Sequence, residues 1–207
     1  PDSISFEEAT LAEPLSVGIH AAAVSKVRDG DSVLVLGSGV IGLSCVIATR
    51  EIAKTIHVAD LVRSRLQFAK SFGADALIDA RRVDPLEEVQ RLTSGRGVDV
   101  VIEAVGLEKT VSQAISSVTE GGRVTIVGLL DETVQVNILA IALKEIQVNG
   151  SYGRTAEDFR KSLEILESDP ATIRRLITHR FSLDHILDAF ETMSKEKQNT
   201  MKVLVTL

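Results

Sequence analysis

Short apolar runs alternate with amphipathic stretches through the middle of this chain. Six runs rich in Val, Ile and Leu have the length of β-strands, and the segments between them have helical spacing. The predicted strands begin at Ser32, Thr55, Ala76, Val98, Arg123 and Glu145. Strands that alternate with helices form right-handed crossovers and a parallel sheet covered on both faces. The pattern therefore predicts an α/β fold with a doubly wound, six-stranded parallel sheet.

The pattern changes after Gly150. The tail is predicted to contain two helices and two extended stretches, at 155–167, 183–193, 173–181 and 201–206. These elements do not continue the strand–helix alternation of the preceding region. We therefore expect three parts: a linking segment at 1–27, a dinucleotide-binding domain at 28–150, and a segment at 151–207. The first and last parts are expected to flank the sheet as pieces of an incomplete second domain.

A glycine-rich turn, Gly37-x-Gly39-x-x-Gly42, follows the first predicted strand and opens a helix. The first backbone N–H groups of a helix have no partner inside it, and with the helix dipole they bind phosphate. Gly37 permits the sharp turn, Gly39 lets a pyrophosphate approach the backbone, and Gly42 lets helix and strand pack closely. The N–H groups of Val40 and Ile41 are predicted to bind the pyrophosphate, with the Ile41 side chain near the nicotinamide.

Asp60 ends the second predicted strand, at about the twenty-residue spacing typical of a dinucleotide site. A carboxylate there binds the ribose 2′-OH and repels a 2′-phosphate, so the sequence favours NAD over NADP. The alternative is a strand-end carboxylate that only starts a turn. Arg63 and Arg65 keep NADP as a minority interpretation.

Composition narrows the classes of partner. The formal net charge of −6 argues against a broad nucleic-acid surface, and no apolar run approaches the length of a membrane span. The single cysteine, Cys45, excludes an internal disulfide framework and is typical of a reducing cytoplasm, where we expect this protein. We interpret Cys45 as a small buried thiol rather than as a metal ligand.

Several segments occur together in a specific order. They are Glu13-Pro14-Leu15-Ser16-Val17-Gly18-Ile19-His20-Ala21, Gly37-Ser38-Gly39-Val40-Ile41-Gly42, Gly121-Gly122-Arg123-Val124, Gly150-Ser151-Tyr152-Gly153-Arg154 and the closing helix and strand. Their combination resembles the zinc-dependent medium-chain dehydrogenases, with the sorbitol (polyol) and threonine dehydrogenase branch the most similar. The resemblance covers essentially the whole chain.

The resemblance implies the nucleotide-binding domain and C-terminal segment of such an enzyme. The family keeps its zinc ligands in an N-terminal catalytic domain, and this sequence begins at Pro1 without that portion. The complete enzyme is expected to interconvert a secondary alcohol or polyol and a ketone by zinc-assisted hydride transfer with NAD. We expect this chain to be part of a longer protein and, alone, to bind cofactor without turnover. None of its residues is predicted to be catalytic.

The resemblance also suggests roles for individual residues. It places Arg65 at the adenosine, Arg154 at the ribose or pyrophosphate, and Glu13 at the zinc or its bound water. A surface glutamate beside Pro14 is the alternative for Glu13. The fold places Val105 at the rim of the cofactor crevice. The segments that match the nicotinamide pocket contain Val127, Gly128, Leu129, Ser151 and Tyr152. Gly128 as a strand terminator and Tyr152 as a buried aromatic are the alternatives there.

The sequence also suggests self-association, and two other functions remain as alternatives. The family pairs the last strand of the nucleotide domain edge to edge, which predicts a homodimer or homotetramer through Glu145–Asn149. One rival is a zinc-independent, NADPH-dependent reductase. The other is a non-enzymatic nucleotide-binding module. A self-contained module would bury the apolar side chains of its own tail, namely Ile173, Ile177, Leu183, Ile186 and Phe190.

Overall fold

The computed structural model describes residues 1, 3–129, 131–196 and 198–207. Among these residues a six-stranded sheet forms in the order β3-β2-β1-β4-β5-β6, and every pairing in it is parallel. Its strands are β1 (Ser32–Leu36), β2 (Thr55–Asp60), β3 (Ala76–Asp79), β4 (Val98–Glu103), β5 (Val118–Ile126) and β6 (Gln147–Gly150). The strand order reverses between β1 and β4, which confirms the predicted doubly wound sheet and opens a crevice at that point.

Helices cover both faces of this sheet. They are α3 (Val40–Thr49), α4 (Arg63–Ser71), α5 (Pro85–Leu92), α6 (Glu108–Ser117) and α7 (Ile138–Leu143). Successive residues of β1 point to opposite faces, so Val33 and Val35 join one apolar core while Leu34 and Leu36 join the other. Burial on both faces explains why the sheet strands read as continuous apolar runs.

The two ends of the chain pack together beside α3. The N-terminal segment contains α1 (Phe6–Ala9) and α2 (Ala12–Val24), and the tail begins with α8 (Ala156–Ser168). Helix α2 approaches α3 so closely that a Cβ on Gly18 would lie 2.4 Å from the carbonyl carbon of Ser44. On its other side α2 contacts α8, where His20 Nδ1 lies 2.9 Å from Asp158 Oδ2.

The rest of the tail contains the predicted second helix and final strand but differs from the sequence prediction in two respects. It contains α9 (Pro170–Arg174), β7 (Ile177–Ser182), α10 (Ile186–Lys195) and β8 (Lys202–Thr206). Ile173 was predicted to be extended, but it is helical because Asp169 caps α9 and Pro170 occupies its first turn. The tail was also predicted to abandon strand–helix alternation, whereas β7, α10 and β8 form a parallel βαβ unit with its own two-stranded sheet.

Two strands of the main sheet begin at other residues than predicted. β5 begins at Val118 instead of Arg123, with an irregular register against β4 between Val98 and Val100. β6 begins at Gln147 instead of Glu145, whose φ of 51° is incompatible with strand geometry. In the described parts of the chain, every helix is too short or too polar to cross a membrane.

Candidate cofactor site

The turn from β1 into α3 has the packing that its three glycines predict. Gly37 has a φ of 93°, in the region that favours glycine. A Cβ on Gly42 would lie 1.8 Å from the carbonyl oxygen of Gly37, so only glycine lets the helix start this close to the strand. A Cβ on Gly39 would meet no atom within 4 Å, which leaves open space over the backbone at the helix start.

The start of α3 presents unused backbone donors. Gly39 is the N-cap of this helix and has no side chain to cap it. The first hydrogen bond of the helical ladder is donated by Leu43 to the Gly39 carbonyl (2.9 Å), so the N–H groups of Val40, Ile41 and Gly42 precede the ladder. These three N–H groups have no acceptor among the described residues, and at the positive end of a ten-residue helix they are suited to bind an anion.

A cavity of about 430 Å³ opens beside this turn, at the carboxyl ends of β1, β2 and β4. This volume lies within the range of small-molecule sites. Five of the predicted cofactor residues line it, namely Gly37, Gly39, Asp60, Arg65 and Val105. The predicted residues outside its lining are Val40, Ile41, Gly42, Val127, Gly128, Leu129, Ser151 and Tyr152. The remaining walls are mostly apolar, with Lys109 and Gln113 contributed by α6.

The Asp60 carboxylate is fixed by three hydrogen bonds. The N–H of Ser38 donates to Oδ2 (2.6 Å), the Ser38 hydroxyl donates to the same oxygen (2.8 Å), and the N–H of Val62 donates to Oδ1 (2.7 Å). A carboxylate accepts about four hydrogen bonds, so one acceptor position remains once the bonds from the described residues are counted, and Asp60 lines the cavity. Asp60 therefore both joins the first two strand ends and faces the cavity.

Arg65 connects the cavity with the tail. It lies in the first turn of α4 and lines the cavity. Its Nη2 donates to the carbonyl oxygen of Thr200 (3.3 Å), and the hydroxyl of neighbouring Ser64 donates to the carbonyl of Gln198. The start of α4 thus holds the loop that leads into β8 next to the predicted adenosine region.

The ends of β4 and β5 come together at the other half of the crevice. A Cβ on Gly128 would lie 2.1 Å from the N atom of Gly106, so this glycine is required by close contact and does more than end a strand. Val127 is buried, and its N–H donates to the Glu103 carbonyl (2.8 Å). Leu129 is 74% exposed and extends away from the core.

Ser151 and Tyr152 follow β6 and differ in burial. The N–H of Ser151 donates to the Ile126 carbonyl (2.9 Å), and its buried hydroxyl has no hydrogen-bond partner among the described residues. Tyr152 is 83% exposed, so the alternative of a buried aromatic is wrong. Both residues lie at the carboxyl edge of the sheet, beyond the cavity that Asp60 lines.

Glu103 is a positioning residue that the sequence pattern did not reveal. Its carboxylate is completely buried and accepts hydrogen bonds from the N–H groups of Val105 (2.9 Å) and Gly106 (2.9 and 3.0 Å). These bonds shape the loop that carries Val105 into the cavity wall. The available signal was an acidic residue at a strand end followed two to three residues later by Val105-Gly106.

The residues present do not suit a zinc ion by themselves. Among the described residues, no group of three His, Cys, Asp or Glu side chains is arranged to hold a metal. Glu13 instead pairs with Arg154, at 2.9 Å between Oε1 and Nη1, and both side chains are partly exposed. In this structure Glu13 is thus the partner of the Arg154 guanidinium.

Cys45 lies on α3 inside the core rather than at the site. Burial raises the pKa of its thiol to about 12, so the metal-binding and nucleophilic thiolate does not form near neutral pH. The thiol packs as a small apolar group.

Comparisons with known proteins match this arrangement. The family described as zinc-binding dehydrogenase matches residues 40–168. Sorbitol dehydrogenase of Bacillus subtilis (strain 168) is 41% identical over 207 residues, which cover 99% of this chain and 58% of that protein. The chain thus spans a little more than half the length of this curated relative.

Two solved structures share the fold and contain different cofactors. One is a short chain alcohol dehydrogenase from Escherichia coli CFT073, complexed with NADH, with a TM-score of 0.90 and 26% identity. The match covers all of this chain and 61% of the chain of that structure. A protein assigned as a zinc-binding dehydrogenase from Sinorhizobium meliloti 1021, bound to NADP, has a TM-score of 0.87 and 29% identity, with the same coverage.

Proposed function

This chain belongs to the zinc-binding dehydrogenase family, and we propose that it forms the NAD-binding part of an oxidoreductase that interconverts a secondary alcohol or polyol and a ketone. One observation carries the proposal. The open helix start at Gly39 and the fixed carboxylate of Asp60 face the same cavity, at the point where the strand order reverses. The sorbitol dehydrogenase relative supports the substrate class.

The cavity and the helix start beside it each have a place in cofactor binding. The N–H groups of Val40 and Ile41 bind the pyrophosphate at the start of α3, while Gly39 leaves room for it. Asp60 accepts hydrogen bonds from the adenosine ribose, and the apolar walls cover the adenine. When bound, the nicotinamide supplies the acceptor or donor of a hydride. Gly128, Leu129, Ser151 and Tyr152 are proposed to surround that ring.

The preference for NAD rests on the charge of Asp60. Its carboxylate is held by Ser38 and Val62 and cannot turn away from the ribose without breaking hydrogen bonds. A 2′-phosphate would meet this anion at close range. The nearby cation is Arg65, and its Nη2 donates to the carbonyl oxygen of Thr200, which belongs to the tail.

The donors present in the described part of this chain do not suit the zinc of the family. Glu13 supplies one carboxylate, which pairs with Arg154, and the described residues contain no metal cluster around it. Cofactor binding is therefore the activity to test on this chain.

A homodimer or homotetramer through β6 and a cytoplasmic location belong to the same proposal. Strand β6 is the last strand of the sheet, and apolar side chains of α7 beside it are exposed. The edge of a sheet offers unpaired backbone groups to a second copy. The reducing cytoplasm is consistent with the single buried thiol.

Of the two alternative functions, the NADPH-dependent reductase has some support and the self-contained binding module has less. The NADP-bound structure keeps an NADPH-dependent reductase as a second candidate, and the relative affinities for NADH and NADPH decide between the two. A self-contained binding module is disfavoured, because Ile173 and Ile177 are buried whereas Leu183, Ile186 and Phe190 are exposed on the tail. Such an apolar face is typical of a surface covered by another part or copy of the protein.

The test is a titration of the chain with NADH, followed by the fluorescence of the nicotinamide. Saturable binding is expected, and Asp60→Ala is expected to weaken it by roughly tenfold or more, because hydrogen bonds to a charged group are lost. Asp79→Ala is the matched control: Asp79 is paired in register with Asp60 at the end of β3 but does not line the cavity. Absence of saturable binding by the unmodified chain would refute the proposal.

A further inference from the structure

Ser38 is the residue between the first two glycines of the turn, and its contacts go beyond that turn. Its side chain is completely buried. Its backbone N–H and its hydroxyl both donate to Oδ2 of Asp60, 22 residues later in the chain, at 2.6 and 2.8 Å. Ser38 itself does not line the cavity, so its hydroxyl acts on a cofactor only through Asp60.

We propose that Ser38 is the positioning residue that sets the selectivity for NAD over NADP, by locking the orientation of the Asp60 carboxylate. The inference rests on the proposed function. With the Ser38 hydroxyl on Oδ2 and the Val62 N–H on Oδ1, both carboxylate oxygens are held from the protein side. The remaining acceptor position is presented to the cavity, where one hydroxyl of the ribose can occupy it.

A fixed orientation of the Asp60 carboxylate affects the affinities for the two cofactors in opposite ways. A diol gains from a carboxylate that is already oriented, because no side-chain freedom is lost on binding. A 2′-phosphate is rejected most strongly when the anion cannot rotate away from it. Loss of the hydroxyl removes one of the two hydrogen bonds on Oδ2 and leaves the N–H groups of Ser38 and Val62 to hold the carboxylate. The carboxylate is then oriented less firmly, so NADH affinity falls while NADPH is excluded less strongly.

The experiment compares dissociation constants for NADH and NADPH in Ser38→Ala. We expect a three- to tenfold weaker affinity for NADH, roughly the effect of one ordinary hydrogen bond, because the hydroxyl acts on the cofactor only through Asp60. The affinity for NADPH should stay within about twofold or improve. Ser44→Ala is the matched control, because the Ser44 hydroxyl is also buried near this turn but donates locally to the Val40 carbonyl (2.7 Å).

A double variant shows whether Ser38 positions Asp60 or only stabilises the fold. In an Asp60→Ala background, Ser38→Ala should have no further effect on the ratio of the two affinities, because the hydroxyl acts through the carboxylate. Should Ser38→Ala not fold, the near-isosteric Ser38→Cys is measured in its place. An unchanged affinity ratio in the folded variant, or failure of both variants to fold, overturns this inference.

These outcomes differ from failure of the proposed function. If the unmodified chain binds NADH and Ser38→Ala lowers both affinities equally, cofactor binding stands and only the selectivity role is rejected. If the unmodified chain binds both cofactors equally well, there is no selectivity for Ser38 to set, and the inference is again overturned. If the unmodified chain binds neither, the proposed function fails as well.

Discussion

His57 is a titratable side chain placed in the sheet interior, away from the cofactor cavity. It lies in the middle of β2, paired in register with Leu34 on one side and Ala76 on the other. Its ring is buried, and Nδ1 has no hydrogen-bond partner among the described residues. Desolvation lowers the pKa of His57 from 6.5, although the nearby charge of Asp75 opposes this shift. The folded protein therefore prefers the neutral imidazole.

The lowered pKa of His57 predicts a pH-dependent stability. As the pH falls below about 6.5, the unfolded chain binds a proton that the folded chain does not, so the free energy of unfolding decreases, by at most about 1.4 kcal/mol per pH unit. Urea unfolding between pH 7.5 and 5.5 should show this loss, and His57→Gln should reduce it. His185→Gln is the control, because His185 is exposed on the tail. Equal slopes for the His57 variant and the unmodified chain would contradict the assignment.

At the scale of the element, two glycines of the turn between β1 and α3 serve different purposes: Gly42 is needed for stability and Gly39 for cofactor binding. Gly42→Ala places a Cβ 1.8 Å from the Gly37 carbonyl oxygen, and we expect it to destabilise the fold by about 2 kcal/mol or more. Gly39→Ala places a Cβ in open space at an allowed backbone conformation, so it should cost less than about 1 kcal/mol.

For cofactor binding the order should be the reverse: among folded molecules, Gly39→Ala should lose more NADH affinity than Gly42→Ala. The methyl group of Gly39→Ala occupies the space through which the pyrophosphate approaches the backbone, so NADH affinity should fall at least tenfold without a matching loss of stability. Thermal unfolding and NADH titration of both variants check the prediction. A Gly39→Ala variant that binds NADH normally would show that the pyrophosphate does not lie on this turn.

The main sheet was predictable from the sequence because its signals are local. Each buried strand is an apolar run, and each crossover helix has its own periodicity. The tail was predicted less well, because β7 and β8 are short, half-exposed strands that pair with each other across α10. The start of α9 was a missed local signal: Asp169-Pro170 caps a helix as well as making a turn.

The candidate site was predictable where a residue's position follows directly from the strand end or helix start that carries it. Gly37, Gly39 and Asp60 reach the cavity because a strand end and a helix start fix them there. Ser38 and Glu103 were not predicted as positioning residues, because their roles depend on hydrogen bonds between loops. Spacing along the chain gives no information on such contacts.

For the whole molecule, the edge of the sheet formed by β6 is the feature with the clearest consequence. β6 ends the six-stranded sheet, and Ile138, Leu139 and Leu143 of the adjacent α7 are each more than 60% exposed. Val148 in β6 is also exposed. An apolar patch beside an edge strand favours association of two copies by continuing the sheet, since each copy offers the same edge.

This edge predicts a concentration-dependent dimer that a single charge disrupts. Leu143→Glu should shift the chain to monomer in sedimentation velocity at micromolar concentration, because pairing would bury two symmetry-related carboxylates in an apolar interface. Leu187→Glu is the matched control: Leu187 is equally apolar and exposed, but it lies on α10 of the tail. A monomeric unmodified chain would contradict association through β6. A dimer that the tail variant disrupts and the Leu143 variant leaves intact would place the interface on α10 instead.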